Sequence, residues 1–162
     1  MTQTVQIVNA DLSDARHAGA IVELLNGYAM DAMGGGQQLA DFVKDNLIAA
    51  LGKRSDVHVV LAFVGDQPAG VAICIEGFST FACKPLLNIH DLAVAKVFRG
   101  QGISKLLIRQ VEQVANGLGC CKITLEVLEG NHPALALYKA SGFVGYELVP
   151  AMGNAMVMQK KL

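Results

Sequence analysis

Residues Arg99-Gly100-Gln101-Gly102-Ile103-Ser104 join an apolar run to an amphipathic one, and that joint constrains the chain more than any other feature. The run before it, Leu86-Leu87-Asn88-Ile89-His90-Asp91-Leu92-Ala93-Val94, reads as a strand. After it, Ile103, Leu106, Leu107, Val111, Val114 and Ala115 recur on one helical face. A short glycine turn between strand and helix aims several backbone N–H groups at one point. The helix dipole adds partial positive charge there, so the joint suits a phosphate or pyrophosphate. It is not a P-loop, because no Gly-Lys-Ser/Thr ends it. Nor is it a dinucleotide fingerprint, because the spacing differs and no first βα unit precedes it.

The length of 162 residues fits one domain, residues 1–162, with a sizeable core. Thirteen Lys and Arg against 14 Asp and Glu leave a net charge of −1 at pH 7, which is no footprint for nucleic acid. The chain is 52% hydrophobic and only 17% charged, a balance that points to a buried subunit interface and hence a homodimer. No apolar run is long enough to span a bilayer, and the start Met1-Thr2-Gln3-Thr4 lacks the charged and apolar regions of a secretory signal. The expectation is a cytoplasmic protein with no membrane partner. Cys74, Cys83, Cys120 and Cys121 include no CxxC pair, so they read as small core residues in a reducing compartment, with a reactive or redox-sensing thiol as the alternative, and no metal is expected.

The remaining periodicities give an order of elements. Residues 5–8 read as a strand. Asp11 or Ser13 caps a helix whose apolar face includes Ala18, Ile21, Val22, Leu25 and Ala29, ending before Gly34-Gly35-Gly36. A second helix covers residues 39–51 and stops at Gly52. Strands occupy 57–64, 69–78 and 84–94, then a helix at 102–116, a strand at 121–128 and a short helix at 133–140 opened by Asn131 and Pro133. Residues 143–149 and 155–160 read as an antiparallel pair. The result is an α/β domain with a mixed central sheet in the order β-αα-βββ-α-β-α-ββ.

A second motif stands one strand after the glycine turn: Asn131-His132-Pro133-Ala134-Leu135-Ala136-Leu137-Tyr138-Lys139-Ala140-Ser141-Gly142-Phe143. With it the chain resembles the GNAT superfamily of N-acetyltransferases. The superfamily's cofactor turn, Gln/Arg-x-x-Gly-x-Gly/Ala, is matched by Arg99 and Gly102, with the small Ser104 in the last place. Its later motif is met at Asn131, Ala134, Tyr138, Gly142 and Phe143. The central stretch is similar to diamine acetyltransferases, and the order of elements agrees along nearly the whole chain.

The resemblance implies acetyl-CoA as co-substrate and a set of roles. Backbone groups of Leu92, Ala93 and Val94 would pair with the pantetheine arm, and Arg99, Gly100, Gln101, Gly102, Ile103, Ser104 and Lys105 would form the pyrophosphate cradle. Asn131 would touch the cofactor arm. Tyr138 would sit near the thioester sulfur, where a phenol can protonate a departing thiolate. The Leu92 N–H would polarise the thioester carbonyl. Several members carry a Glu just before an Asp in the cofactor strand, and His90 stands at the place of that Glu. A histidine can take a proton near neutral pH, so His90 is either the general base or a structural strand residue. Strand alternation puts Asn88 on the face of His90, able to orient substrate or a water, and puts Asp91 on the opposite face as a structural residue. Lys96 and Lys105 flank the turn and either meet phosphates or lie solvated. His17, His58 and His132 read as non-catalytic.

In this superfamily the acceptor binds near the first two helices and the last loop, here residues 28–36 and 149–154, with 78–82 at the mouth. Tyr28 and Asp31 are the polar candidates. The scarcity of acids there argues against a highly cationic acceptor, because each ammonium needs a partner. The expected activity is acetyl transfer to a primary amine of a small molecule in a direct ternary complex. A protein N-terminal or lysine acetyltransferase and a non-catalytic acyl-CoA sensor are the alternatives.

Overall fold

The apolar run at residues 57–64 has little polar alternation because both faces of that strand are covered. In the computed structural model, which describes residues 4–162, the order is β1 (Val5–Asn9), α1 (Ala15–Met30), a 3₁₀ turn (Ala32–Gly34), α2 (Asp41–Gly52), β2 (Val57–Val64), β3 (Gln67–Ser79), β4 (Lys84–Val94), a 3₁₀ turn (Lys96–Phe98), α3 (Ile103–Gly117), β5 (Ile123–Leu125), α4 (His132–Ala140) and a last 3₁₀ turn (Pro150–Met152). The sheet runs β1-β2-β3-β4-β5, antiparallel except for β5, which is parallel to β4. The chain forms two compact units, one ending at Leu125 and the other spanning Glu126–Leu162. Among the described residues no helix is long and apolar enough to cross a membrane.

Each face of the sheet carries a helix. On one, Ala20, Ile21 and Leu24 of α1 pack with Val59, Leu61, Phe63, Val71, Ile73 and Ala93. On the other, α3 buries Ile103, Leu107, Ile108, Val111 and Ala115. The alternate strand residues, among them Val60, Ala72, Cys74 and Ile89, are buried on that side. The cap of α1 is Asp14, not Asp11 or Ser13. Its carboxylate accepts from the N–H groups of Arg16 and His17 at 2.7 and 3.3 Å. Asp11 is engaged one step earlier, accepting from the Ser13 N–H and hydroxyl at 2.9 and 2.6 Å, the side-chain turn that competes with capping.

One irregularity in β4 reassigns the faces of that strand. Ile73 pairs with Asp91 and Cys74 with Ile89, which leaves His90 with no opposite residue. This is a β-bulge, and it reverses the alternation beyond it. The parallel ladder to β5 covers only Leu87, Asn88 and Ile89, so it stops where the bulge begins. That is why β5 is three residues long rather than the expected 121–128.

The expected last pair of strands is not formed. Residues 143–149 and 155–160 carry no strand ladder, and the Ala155 N–H donates to the Tyr146 carbonyl at 3.0 Å. Gly145 interrupts the first of the two stretches, and a glycine inside a strand weakens its ladder by extra backbone freedom.

Leu107 is fully buried under the sheet. Leu107→Ala is therefore expected to destabilise the fold by about 2–5 kcal/mol. Urea unfolding checks this: the midpoint should fall with an unchanged denaturant slope.

Candidate functional site

The glycine turn comes directly after β4. Gly100 and Gly102 both adopt left-handed backbone, φ +77° and +79°, a conformation that costs residues with a Cβ. Helix α3 starts at Ile103, and Lys105 N–H returns to the Gly102 carbonyl at 3.1 Å. Among the described residues, the N–H groups of Gly100, Gln101, Gly102, Ile103 and Ser104 find no carbonyl partner. They form a cluster of donors at the positive end of a 15-residue helix. Upstream, residues 91–94 of β4 pair with β3 on one edge, while the β4–β5 ladder has already ended at Ile89. The backbone edge beyond the bulge is thus unpaired by β5 and leads straight into the turn. By alternation from the Ala95 N–H bond to the Ala69 carbonyl, Leu92 and Val94 face that edge, the Val94 carbonyl accepting from Arg99, while Ala93 faces β3.

Arg99 does not point freely at this turn. Its Nε donates to the Val94 carbonyl at 3.0 Å and its guanidinium pairs with the Asp31 carboxylate. Lys96 reaches the same carboxylate at 3.2 Å. Hydrogen bonding from Arg99 is the main reason Asp31 is held below its ordinary ionisation range, with Lys96 adding to it. The same residue organises the loop after α1. The Asp31 carbonyl accepts from Gly34 and Gly36, each at 2.9 Å, and its N–H donates to the Tyr28 carbonyl at 3.0 Å. A methyl group on Gly34 would overlap the Tyr28 carbonyl, so this close turn requires glycine.

The bulge rearranges the strand candidates. Asn88 lies opposite Ile75 and Asp91 opposite Ile73, so these two share the α1 face. The expectation that Asn88 shares a face with His90, and that Asp91 lies opposite, fails because the extra residue shifts the alternation by one. Asn88 spends its amide on the Thr124 hydroxyl at 3.0 Å, tying β4 to β5. His90 is exposed at the bulge, and Asp91 is half-buried. Burial raises the Asp91 carboxyl above its ordinary value, partly offset by the charge of His90. The Tyr28 phenol is raised by burial and further by the negative charges of Asp91 and Asp31, which groups the three residues electrostatically. Strand alternation reads Asp91 as a structural residue on the face away from Asn88 because a bulge leaves no clear mark in residue types.

In the second unit the later motif closes on itself. The Asn131 side chain accepts from Ala134 N–H at 3.3 Å and caps α4. Gly142, with φ +90°, ends the helix. Phe143 then turns back, donating its N–H to the Tyr138 carbonyl at 2.9 Å. The two rings meet edge-to-face with centroids 5.7 Å apart. His132 is exposed.

Of the four free thiols only Cys74 is buried, and desolvation pushes it up to about 12. That keeps it protonated and inert. Among the described residues no group of three or more His, Cys, Asp or Glu could hold a metal ion. A cavity of about 190 Å³ lined by Asn9, Leu12, His58 and Val114 contains none of the candidate residues.

Comparison with known proteins gives this arrangement its class. The sequence profile of the acetyltransferase (GNAT) family matches residues 21–143, and the chain belongs to that family. Over 88 residues it is 31% identical to a thialysine N-epsilon-acetyltransferase of Caenorhabditis elegans, covering 54% of each protein. A protein of the same name from Bos taurus is 43% identical over 78 residues, 48% of this chain and 45% of that one. The chain spans about half the length of these curated relatives. An aminoglycoside acetyltransferase from an uncultured soil metagenomic sample, crystallised with trehalose, shares the fold with a TM-score of 0.77. That match has 20% identity and covers 98% of this chain and 96% of the other.

Gly102→Val forces a branched residue into a left-handed conformation within the donor cluster. Calorimetry should show loss of coenzyme A binding with the circular dichroism spectrum retained. Unchanged affinity would remove the turn from the binding site. For Asp91 the sign of the pH effect is defined. Its folded-state pKa is raised from 3.8, so the associated stability is complete only below that value and is lost as pH rises through the folded pKa. Asp91→Asn should therefore melt higher than the parent at neutral pH, the gap closing as the solution is acidified.

Proposed function

We propose that this protein transfers an acetyl group from acetyl-CoA to a primary amine of a small molecule in a direct ternary complex. The observation that carries the reading is the continuity of the unpaired β4 edge with the donor cluster at residues 100–104. An extended arm bearing amides and ending in a diphosphate fits both parts: β-type hydrogen bonds to Leu92 and Val94, then N–H groups and Lys105 for the phosphates. Gly100 and Gly102 present no side chain to obstruct the approach. Acetyl-CoA, when bound, supplies an activated acyl thioester.

The protein's residues then have distinct tasks. The Leu92 N–H polarises the acyl carbonyl. The Tyr138 phenol gives its proton to the departing sulfur, and Asn131 contacts the cofactor arm. The proton of the incoming ammonium leaves to the bulge. His90 is the acceptor by its place in the strand, and half-buried Asp91 is the second reading because its carboxyl is raised and shares a face with α1. Tyr28, Asp31 and Asn88 contribute the polar groups on the acceptor side. Relatives named for acetylating the ε-nitrogen of thialysine support a small amine as acceptor. The low charge and exposed Phe78 and Phe81 favour a homodimer, and the composition favours the cytoplasm.

A thiol-release assay over a panel of small amines, one lysine peptide and one N-terminal peptide tests the reading. Turnover confined to peptides would make it a protein acetyltransferase, and coenzyme A binding without turnover would make it a sensor. With an active acceptor, Tyr138→Phe should lower kcat by ~10²-fold or more at unchanged cofactor affinity. The rise of kcat/KM with pH should vanish in His90→Gln if His90 is the base and in Asp91→Asn if Asp91 is. A limb that survives both and tracks the acceptor's own basicity would mean that neither residue takes the proton.

A further inference from the structure

Asp31 joins two regions that the proposed function keeps separate. It caps the C-terminal end of α1, in the loop assigned to the acceptor. Its side chain, 16% exposed, holds Arg99 and Lys96, which belong to the turn assigned to the diphosphate. Its backbone holds Gly34 and Gly36 of the acceptor-side loop. One carboxylate thus faces two cations, one on the residue that directly precedes the donor turn at 100–104 and the other in the 3₁₀ turn before it. The cations are half or more exposed, at 49% for Arg99 and 72% for Lys96. Ion pairs made by such exposed cations add little net stability. A diphosphate offers the same two cations more negative charge and more acceptor oxygens than one carboxylate, and a guanidinium pairs with either.

We infer that Asp31 is an exchangeable occupant of the phosphate-binding cations: a diphosphate in the turn takes Arg99 and Lys96 from it, frees the carboxylate for the acceptor's ammonium and loosens the Gly34–Gly36 turn. This rests on the proposed function for the identity of the two sites. Asp31 is then a positioning residue on the acceptor side that becomes available once the cofactor is seated. The coupling is reciprocal. Whatever holds Asp31 away from Arg99 also favours the diphosphate.

Calorimetry on the full chain at fixed ionic strength, with coenzyme A and separately with inorganic pyrophosphate, tests the exchange. Asp31→Asn removes the competitor, so both probes should bind roughly 3–10-fold more tightly than to the parent, the range of a modest coupling free energy. Asp31→Glu restores the charge and should bring affinity back toward the parent value. Hydrogen exchange at the Gly34 and Gly36 amides of the parent should accelerate when pyrophosphate is added. Affinity within twofold of the parent, or weaker, in Asp31→Asn overturns the exchange, since Asp31 would then be neutral or would hold Arg99 in its binding pose. Unchanged glycine exchange overturns the loosening of the loop. A parent that binds pyrophosphate but not coenzyme A defeats the acetyltransferase reading and leaves the ion-pair exchange standing on the pyrophosphate arm. A parent that binds neither defeats both.

Discussion

One extra residue in β4 organises this molecule. Because His90 has no opposite partner, every residue after it changes face, and the strand bends out of register with β5. That single insertion has three consequences. The parallel ladder ends at Ile89, and the backbone beyond it is open on one edge. The open edge runs into a helix N-terminus whose donors are unpaired. Asp91 moves to the side of α1, where its charge and that of Asp31 both act on the Tyr28 phenol. A regular β4 would have paired its edge and buried a different set of side chains.

Charge is distributed sparingly around this opening. Asp31 is neutralised by Arg99 and Lys96, whereas Asp91 is penalised by burial and has only His90 as an opposing charge. Asp31 is thereby more easily ionised than an ordinary carboxylate and Asp91 less easily. A reluctant carboxylate binds a proton more readily, which is the property proton transfer requires. The same burial makes it a cost to the fold, a trade common where function and stability compete.

Much of the fold was legible because its determinants are local. The strand at 84–94 and the helix after Gly102 are marked by periodicity and by two glycines, and both glycines adopt the left-handed backbone that the turn needs. Of the six residues read as the inward face of α3, Ile103, Leu107, Val111 and Ala115 are buried, while Leu106 and Val114 are partly covered. The motif around Tyr138 was legible for the same reason: Asn131 caps, Gly142 ends the helix, and Phe143 folds back on Tyr138 within 13 consecutive residues. The terminal strand pair is absent because apolar residues satisfy the pattern of a strand without supplying ladder partners, and Gly145 works against them.

The sequence by itself determined the order of elements through α4, the backbone-donor turn and the family to which the chain belongs. These depend on interactions between residues a few positions apart, which spacing records directly. Only the tertiary structure decided which side of the sheet Asn88 and Asp91 occupy, that Asp31 and Arg99 are partners across 68 positions, and where β5 stops. Register depends on how two distant strands align, and an insertion of one residue leaves composition and periodicity almost unaltered while reversing the faces beyond it. Long-range ion pairs are equally silent, because a charge carries no label for the partner that folding brings to it.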